Sequence, residues 1–347
     1  MSDFSHITPL VPPDTVSRWL GALPQPVAIT GGTGFVGSHL VDTLCAAGMR
    51  PRVLVRDART PRWIAGAPVD WVPGSLEDGA ALSRMVQEAG TVFHLAGVLR
   101  AGTESDFDRG NRGGTANLVG AMRQTAPEAR LIHVSSLAAV GPSAEAAGAG
   151  PEAEPAPISW YGGSKLAAEN EVRKSDSGSW WVIVRPPAVY GPRDTDVFEF
   201  FRMANRGLVA VPAGERWLTV AWVGDVVRAV LAAAVGRPHA VFHLGEPEPM
   251  LLDTLISDLC RAGGVAPRII RIPPLAVTSA GALGSVLHRV GWRRLALTRD
   301  KARELLARHW TARTADSLRD LGLVRIVGFS EGAARSWSWY RDRGWLD

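Results

Sequence analysis

Cysteine is almost missing from this chain of 347 residues; Cys45 and Cys260 are the whole complement. Two thiols so far apart match no metal or redox spacing, which argues against a zinc centre or a CxxC couple. The eight histidines form no HExxH-like cluster, so no protein-bound metal is expected. Long apolar runs are lacking too. No stretch of about 20 apolar residues occurs, so no membrane-spanning helix is predicted. The nearest run, 275–287, is short and interrupted by Ser and Gly, and reads as a buried or lid helix before a membrane-surface one. The opening residues show neither a basic region nor an apolar core, which is not the pattern of a signal peptide, and a cytoplasmic location is expected. Nor does one sign of charge dominate. Lys and Arg number 38 against 34 Asp and Glu, and the arginines are scattered rather than striped with aromatics, so nucleic acid is not an expected partner.

What is present is a hydrophobic content of 46% with 21% charged residues, enough for one large α/β domain or two smaller ones. Residues 1–26 hold several prolines and little periodicity, and read as a surface arm. From there short apolar runs alternate with helical patterns. Strands are predicted at 27–29, 52–55, 69–72, 91–96, 131–134 and 181–184, with helices at 35–47, 80–89, 111–125 and 159–174 between them. That alternation implies a doubly wound parallel sheet, a Rossmann-type α/β fold spanning 27–185. Beyond Arg185 the pattern becomes irregular. A helix at 226–235 and a buried strand at 241–244 are placed to return to the sheet, with 220–245 rejoining it. The remainder of 186–347 reads as a smaller substrate lobe whose Trp-rich end suits packing.

The run Thr30-Gly31-Gly32-Thr33-Gly34-Phe35-Val36-Gly37 lies between a predicted strand and a predicted helix. Gly31 permits the tight turn, Gly34 lets the backbone approach a pyrophosphate, and Gly37 lets helix and strand pack closely. The helix start then offers unpaired N–H groups to phosphates. A glycine cluster alone is weak, and its position between strand and helix is what gives it meaning. At the end of the second strand stand Val55-Arg56-Asp57. An arginine there accommodates a 2′-phosphate, so Arg56 favours NADP, with Arg52 and Arg59 as further candidates, while Asp57 keeps NAD open.

Lys165 follows Tyr161 by four residues, and on a helix such a pair shares a face. An ammonium beside a phenol would lower its pKa toward working pH, fitting Tyr161 to exchange a proton with a substrate oxygen. Ser136, at the carboxyl end of the fifth strand, is placed to hold the same oxygen. A lone YxxxK is common by chance; the order of glycine loop, serine and YxxxK is not.

With these pieces the chain resembles the extended short-chain dehydrogenase/reductases of the epimerase/dehydratase superfamily, from Val27 onward. His94-Leu95-Ala96-Gly97, Asn111 with Gly114-Thr115 and Asn117, Val134-Ser135-Ser136 and Arg185-Pro186-Pro187-Ala188-Val189-Tyr190-Gly191-Pro192 also match. The resemblance implies a nicotinamide cofactor bordered by Thr33, Phe35, Val36, Ala96, Gly97 and Ser135, contacted by Tyr161 and Lys165. Pro186 to Val189 would position its carboxamide. Asn111 reads as structural or water-binding. Ser75 stands where relatives often carry an acid near the adenine. Many members are homodimers. Sugar-nucleotide enzymes of the family usually carry Asn at the position of Ala188, and dehydratases an Asp-Glu pair after the active-site hydroxyl residue. Here Ser136 is followed by Leu137-Ala138-Ala139. The resemblance therefore runs to the 3β-hydroxysteroid dehydrogenase and dihydroflavonol reductase branch. It implies interconversion of a ketone and a secondary alcohol on a hydrophobic small molecule, for which Trp217, Trp222 and Phe198 would furnish an apolar lobe. The alternatives are a sugar-nucleotide epimerase holding NAD, and a non-catalytic cofactor binder.

Overall fold

Val27–Thr30 and Thr91–His94 are buried along their whole length, as strands covered on both faces must be. They lie side by side at the centre of the sheet. The structure is a computed structural model that describes residues 13–57, 62–175, 178–289 and 297–346. In chain order it contains α1 (Pro13–Gly21), β1 (Val27–Thr30), α2 (Phe35–Ala46), β2 (Arg52–Val55), β3 (Asp70–Pro73), α3 (Gly79–Val86), β4 (Thr91–His94) and α4 (Glu104–Asp108). A π-helical turn, Arg109–Gly113, leads into α5 (Gly114–Thr125), followed by β5 (Arg130–Val134), α6 (Trp160–Arg173) and β6 (Trp181–Arg185). Next come β7 (Ala188–Tyr190), α7 (Phe198–Asn205), β8 (Leu208–Pro212), β9 (Trp217–Leu218), β10 (Val220–Trp222), α8 (Val223–Val235) and β11 (Ala240–His243). The chain continues through β12 (Met250–Leu251), α9 (Leu252–Gly263), β13 (Arg268–Ile272), α10 (Pro274–Arg289), α11 (Arg299–Leu306), β14 (His309–Trp310), α12 (Ala315–Asp320) and α13 (Phe329–Asp342).

The main sheet has seven parallel strands in the order β11-β6-β5-β4-β1-β2-β3. Its direction of growth reverses between β1 and β4, and the carboxyl ends diverge there into a crevice, the place where ligands bind in open α/β sheets. α2 and α8 cover one face through Leu40, Leu44, Val226 and Val230. α3, α5 and α6 cover the other through Leu82, Met85, Leu118 and Val172. This is the doubly wound Rossmann-type architecture that the alternating pattern implies.

Two segments depart from the sequence reading. The stretch before β1 is not merely a surface arm. α1 buries Val16 and Leu20, and Leu23 follows into the same core as α8. Their spacing of four and three residues is a helical stripe that the flanking prolines obscured. The helix predicted at 111–125 begins as α5 only at Gly114; residues 111–113 belong to the π-turn that follows the short α4, and Asn111 is buried in it.

The remaining elements build a second core in which aromatic rings meet edge to face or tilted. Phe201 packs on Trp337 (5.4 Å) and Tyr340 (5.1 Å), and Phe198 on Tyr340 (4.7 Å). The Tyr340 hydroxyl donates to the Gly191 carbonyl (2.8 Å), and the Trp337 indole to that of Leu259 (2.7 Å). Trp222 is fully buried in this core, Phe198 packs against it, and the Trp217 indole donates to Glu215 (2.8 Å). The three aromatics expected to furnish a substrate lobe are thus engaged in packing and local hydrogen bonds.

Candidate active site

The turn after β1 places Gly31 at a φ of +73°. A β-carbon there would lie 2.5 Å from the Ala96 nitrogen, and one on Gly37 would lie 2.1 Å from the Gly31 carbonyl oxygen. Both positions therefore exclude a side chain, one for the turn and one for the approach of α2 to β1. Gly34 caps α2 without a side chain to satisfy its N–H groups. Phe35 and Val36 begin the helix, and Thr33 and Gly34 sit at the surface of the crevice. A helix start with unsatisfied N–H groups beside a glycine cradle fits a dinucleotide pyrophosphate. Gly31→Ala is expected to cost at least about 1–2 kcal/mol from the backbone conformation alone. The clash with Ala96 adds to this. Thermal unfolding and NADPH titration by calorimetry should show a lower midpoint and lost binding.

Arg56 is exposed at the carboxyl end of β2, with Asp57 beside it. Arg52 is not available to a phosphate at that end. It begins β2, at the opposite edge of the sheet, and its guanidinium donates to the carbonyls of Met85 (3.4 Å) and Gln87 at the end of α3. Arg59 lies outside the described residues. Ser75 turns its hydroxyl to the Glu77 amide (3.2 Å).

A buried chain of hydrogen bonds links the two central strands to α5. The Ala96 amide donates to Thr30 Oγ1 (3.2 Å), which donates to His94 Nδ1 (2.6 Å). His94 Nε2 donates to Thr115 Oγ1 (2.9 Å), which donates to the Asn111 carbonyl (2.8 Å). The tautomer is assigned from Thr115, whose proton is already committed to Asn111. The Asn111 side chain grips the loop after Gly97. It accepts from the Val98 amide (2.6 Å), and donates to the Val98 carbonyl (3.1 Å) and to Ser164 Oγ on α6 (2.8 Å). A β-carbon on Gly97 would sit 3.1 Å from Asn111 Oδ1 and 3.8 Å from Lys165 Nζ, so the loop runs directly over the lysine.

Ser136, Tyr161 and Lys165 converge beside that loop. Ser159 starts α6 by accepting from the Gly162 amide (3.0 Å), which puts Tyr161 in the first turn. Ser136 Oγ accepts from the Ala138 amide (3.1 Å) and neighbours the Tyr161 phenol, whose pKa it pulls down. The Tyr161 ring packs 6.1 Å from Phe107 of α4. Lys165 is buried and donates to the Val134 carbonyl at the end of β5 (2.9 Å). Burial pushes the Tyr161 hydroxyl up to about 12, against the pull of Ser136. Burial lowers Lys165 to about 8, with Glu169 opposing the shift. The expectation that the ammonium brings the tyrosine down to working pH is thus not met. Lys165 is turned to a backbone carbonyl, and desolvation of the phenol wins, so Tyr161 keeps its proton.

The hydroxyl of Ser135 faces away from the crevice, into the protein, and donates to Glu169 (2.6 Å). Glu169 is fully buried and also accepts from Arg185 Nε (2.8 Å) and Nη2 (2.7 Å) and from Arg173 (3.1 Å). Burial raises its pKa, but the Arg185 fork outweighs that and holds the carboxyl below its usual range. This network anchors α6 to β5 and β6. Sequence reasoning missed it, though Glu169 follows Lys165 at helical spacing. Pro186 is buried and its carbonyl accepts from the Leu137 amide (2.8 Å). Val189 is half-buried on β7, paired with Ala221 of β10.

Comparison with known proteins matches residues 27–245 to the model of the NAD dependent epimerase/dehydratase family. A ceramide reductase of Caulobacter vibrioides is 36% identical over 92% of this chain and 96% of that protein. A 4-hydroxy-2-methyl-3-oxo-4-farnesyl-3,4-dihydroquinoline-1-oxide ketoreductase of Stigmatella aurantiaca is 28% identical over 88% of this chain and 93% of that protein. Among solved structures, MoeE5 in complex with UDP-glucose and NAD superposes with a TM-score of 0.73 at 25% identity, covering 92% of this chain and 99% of the other. The chain therefore belongs to the NAD dependent epimerase/dehydratase family, as an NAD(P)-dependent enzyme of the extended short-chain dehydrogenase/reductase type.

Proposed function

We propose that the chain reduces the ketone of a bulky, long-chain apolar molecule to a secondary alcohol, with NADPH as reductant. The observation that carries this reading is the Ser136–Tyr161 hydroxyl pair at the carboxyl end of the sheet, with the proton held on Tyr161. When bound, the dinucleotide supplies a hydride to the carbonyl carbon. Tyr161 gives its proton to the carbonyl oxygen, and Ser136 orients that oxygen by hydrogen bonding. The Lys165 ammonium, one helical turn on, compensates the phenolate that Tyr161 becomes. Asn111 holds the Val98 loop and α6 in register, so that the phenol and the crevice stay aligned.

Two relatives carry lipid-like molecules in their names, a ceramide and a farnesylated quinoline oxide. Ala188, exposed on β7, offers no side-chain amide to a sugar-nucleotide diphosphate. Arg56 at the end of β2 supports NADPH over NADH.

The test is NADPH consumption with a panel of long-chain ketones, including N-acyl amino ketones, set beside UDP-sugars. Alcohol product should be found by mass spectrometry for the ketones. Turnover of a UDP-sugar with no ketone reduced would sink the proposal. Arg56→Ser is expected to raise the KM for NADPH by about 10–100-fold, the value of one charge-assisted contact, and to leave that for NADH nearly unchanged.

A further inference from the structure

α10 breaks the usual rule for a surface helix. Across residues 274–285 it carries no charged side chain. Val277, Gly281 and Gly284 form its inner stripe, with Gly281 against Ala302 and Gly284 against the Leu297 carbonyl. Its outer side shows Leu275 at 79% exposure and Leu283 at 59%. A soluble helix normally sets polar residues there. The strand that feeds α10 continues the feature: Ile269 and Ile270 of β13 are exposed, with Arg268 and Arg271 on either side.

Charge is concentrated in the same place. The stretches 264–285 and 297–308 hold six basic residues, Arg268, Arg271, Arg299, Lys301, Arg303 and Arg308, against Asp300 and Glu304. Their net +4 equals the formal net charge of the whole chain, so everything else sums to zero. Arg271 pairs with Asp253 (2.6 Å) and Lys301 with Glu304 (2.8 Å), and cations still outnumber carboxylates on this surface. Exposed leucine and isoleucine interleaved with an excess of arginine fit an anionic lipid surface, where side chains enter the acyl boundary and guanidinium groups meet phosphates.

The surface also abuts the candidate site. Asp300 of α11 accepts from the Trp160 amide (3.0 and 3.2 Å), at the residue before Tyr161. A cavity of about 450 Å³ opens there, lined by Ile158, Trp160, Asp300 and Arg303 among others.

We propose that β13, α10 and α11 form a docking face for an anionic bilayer. The face stands on exposure and charge alone. Its use, to take an apolar ketone from the membrane to the mouth of the site, rests on the function proposed above.

Sedimentation of the full chain with phosphatidylcholine vesicles, with and without phosphatidylglycerol, tests the surface. Binding is expected only to the anionic vesicles and should weaken as salt is raised. Arg268→Gln with Arg271→Gln should lower the partition coefficient by about 30-fold, close to five-fold per arginine. Leu275→Ser with Leu283→Ser should lower it by about tenfold or more. Both pairs should leave NADPH binding and the turnover of a water-soluble ketone unchanged, which shows that the fold is intact. Absence of binding to anionic vesicles overturns the proposal, as does binding that neither pair affects. A concentration-dependent dimer abolished by the leucine pair, with no vesicle binding, would assign the face to a second copy of the chain. If vesicles bind but no ketone is reduced, the docking face stands and the proposed substrate falls.

Discussion

Tyr161→Phe should lower kcat/KM for ketone reduction by about 10²–10⁴-fold while NADPH binds as before. The substitution removes one oxygen. It keeps the ring against Phe107 and leaves the glycine cradle untouched. What is lost is the only proton in the Ser136–Tyr161 pair acidic enough to follow the hydride, since a serine hydroxyl is a far weaker acid than a phenol. The pH profile carries a second signature. Tyr161 stays protonated up to about 12, so the acid needed for reduction is present throughout the working range. Lys165 loses its charge near 8. Below that pH the ammonium is present and kcat/KM is level; above it the ammonium disappears and the rate falls. Stopped-flow reduction across pH 6–10, with calorimetric NADPH titration of the variant, checks both. An active Tyr161→Phe enzyme would remove Tyr161 from the proposed role, and a profile level to pH 10 would remove Lys165 from its own.

The central sheet was legible because its strands are buried on both faces. Val92 and Phe93 have no polar side to show, so apolar runs and glycine breaks mark the elements directly. The glycine loop was legible for a related reason. Close backbone approach admits one residue type, and the contacts of Gly31 and Gly37 show why. Side-chain direction was not legible. Ser135 and Ser136 are adjacent at a strand end, yet one hydroxyl turns inward to Glu169 and the other toward Tyr161. Arg52 and Arg56 lie four residues apart on and after one strand, and only the end of the sheet each reaches separates their uses. The second lobe was opaque because its pairings are long-range. β13 pairs with β8 about sixty residues earlier, and β14 with β9 about ninety earlier, beyond any local pattern. The desolvation that overrides the Lys165–Tyr161 attraction is likewise a property of the packed site.

Stability should fall steeply on mild acidification, because three buried histidines cannot take up protons in the fold. Burial holds His94 at about 3 and His243 at about 4, and drives His133 well below its ordinary value of 6.5; neighbouring Lys165 and Arg185 add to the effect. His133 is the clearest case. It is fully buried, packs 5.1 Å from the His94 ring, and neither of its ring nitrogens has a hydrogen-bond partner. All three native-state values lie below those of the unfolded chain. Their contribution is therefore complete above pH 6.5 and is lost as pH falls through 6.5 toward 4, where the unfolded chain binds protons and the native state does not. Each group costs up to about 1.4 kcal/mol per pH unit, so three would together remove about 4 kcal/mol per unit once the pH is about one unit below 6.5. Asp194 works in the opposite direction. Burial raises it to about 6, so below that pH the native state takes up one proton the unfolded chain does not, and the net slope eases to about 3 kcal/mol per unit. Against a total stability at the lower end of the usual range of about 5–15 kcal/mol, this predicts unfolding near pH 4–5. Urea titrations from pH 7.5 to 4.5 would measure the slope. His133→Phe should flatten it by about one group's share, and should raise stability at neutral pH by removing two unsatisfied polar atoms from the core. A stability level from pH 7 to 5 would show that these rings find proton acceptors or water in the native state, and that the buried histidine layer beneath Lys165 is not dry.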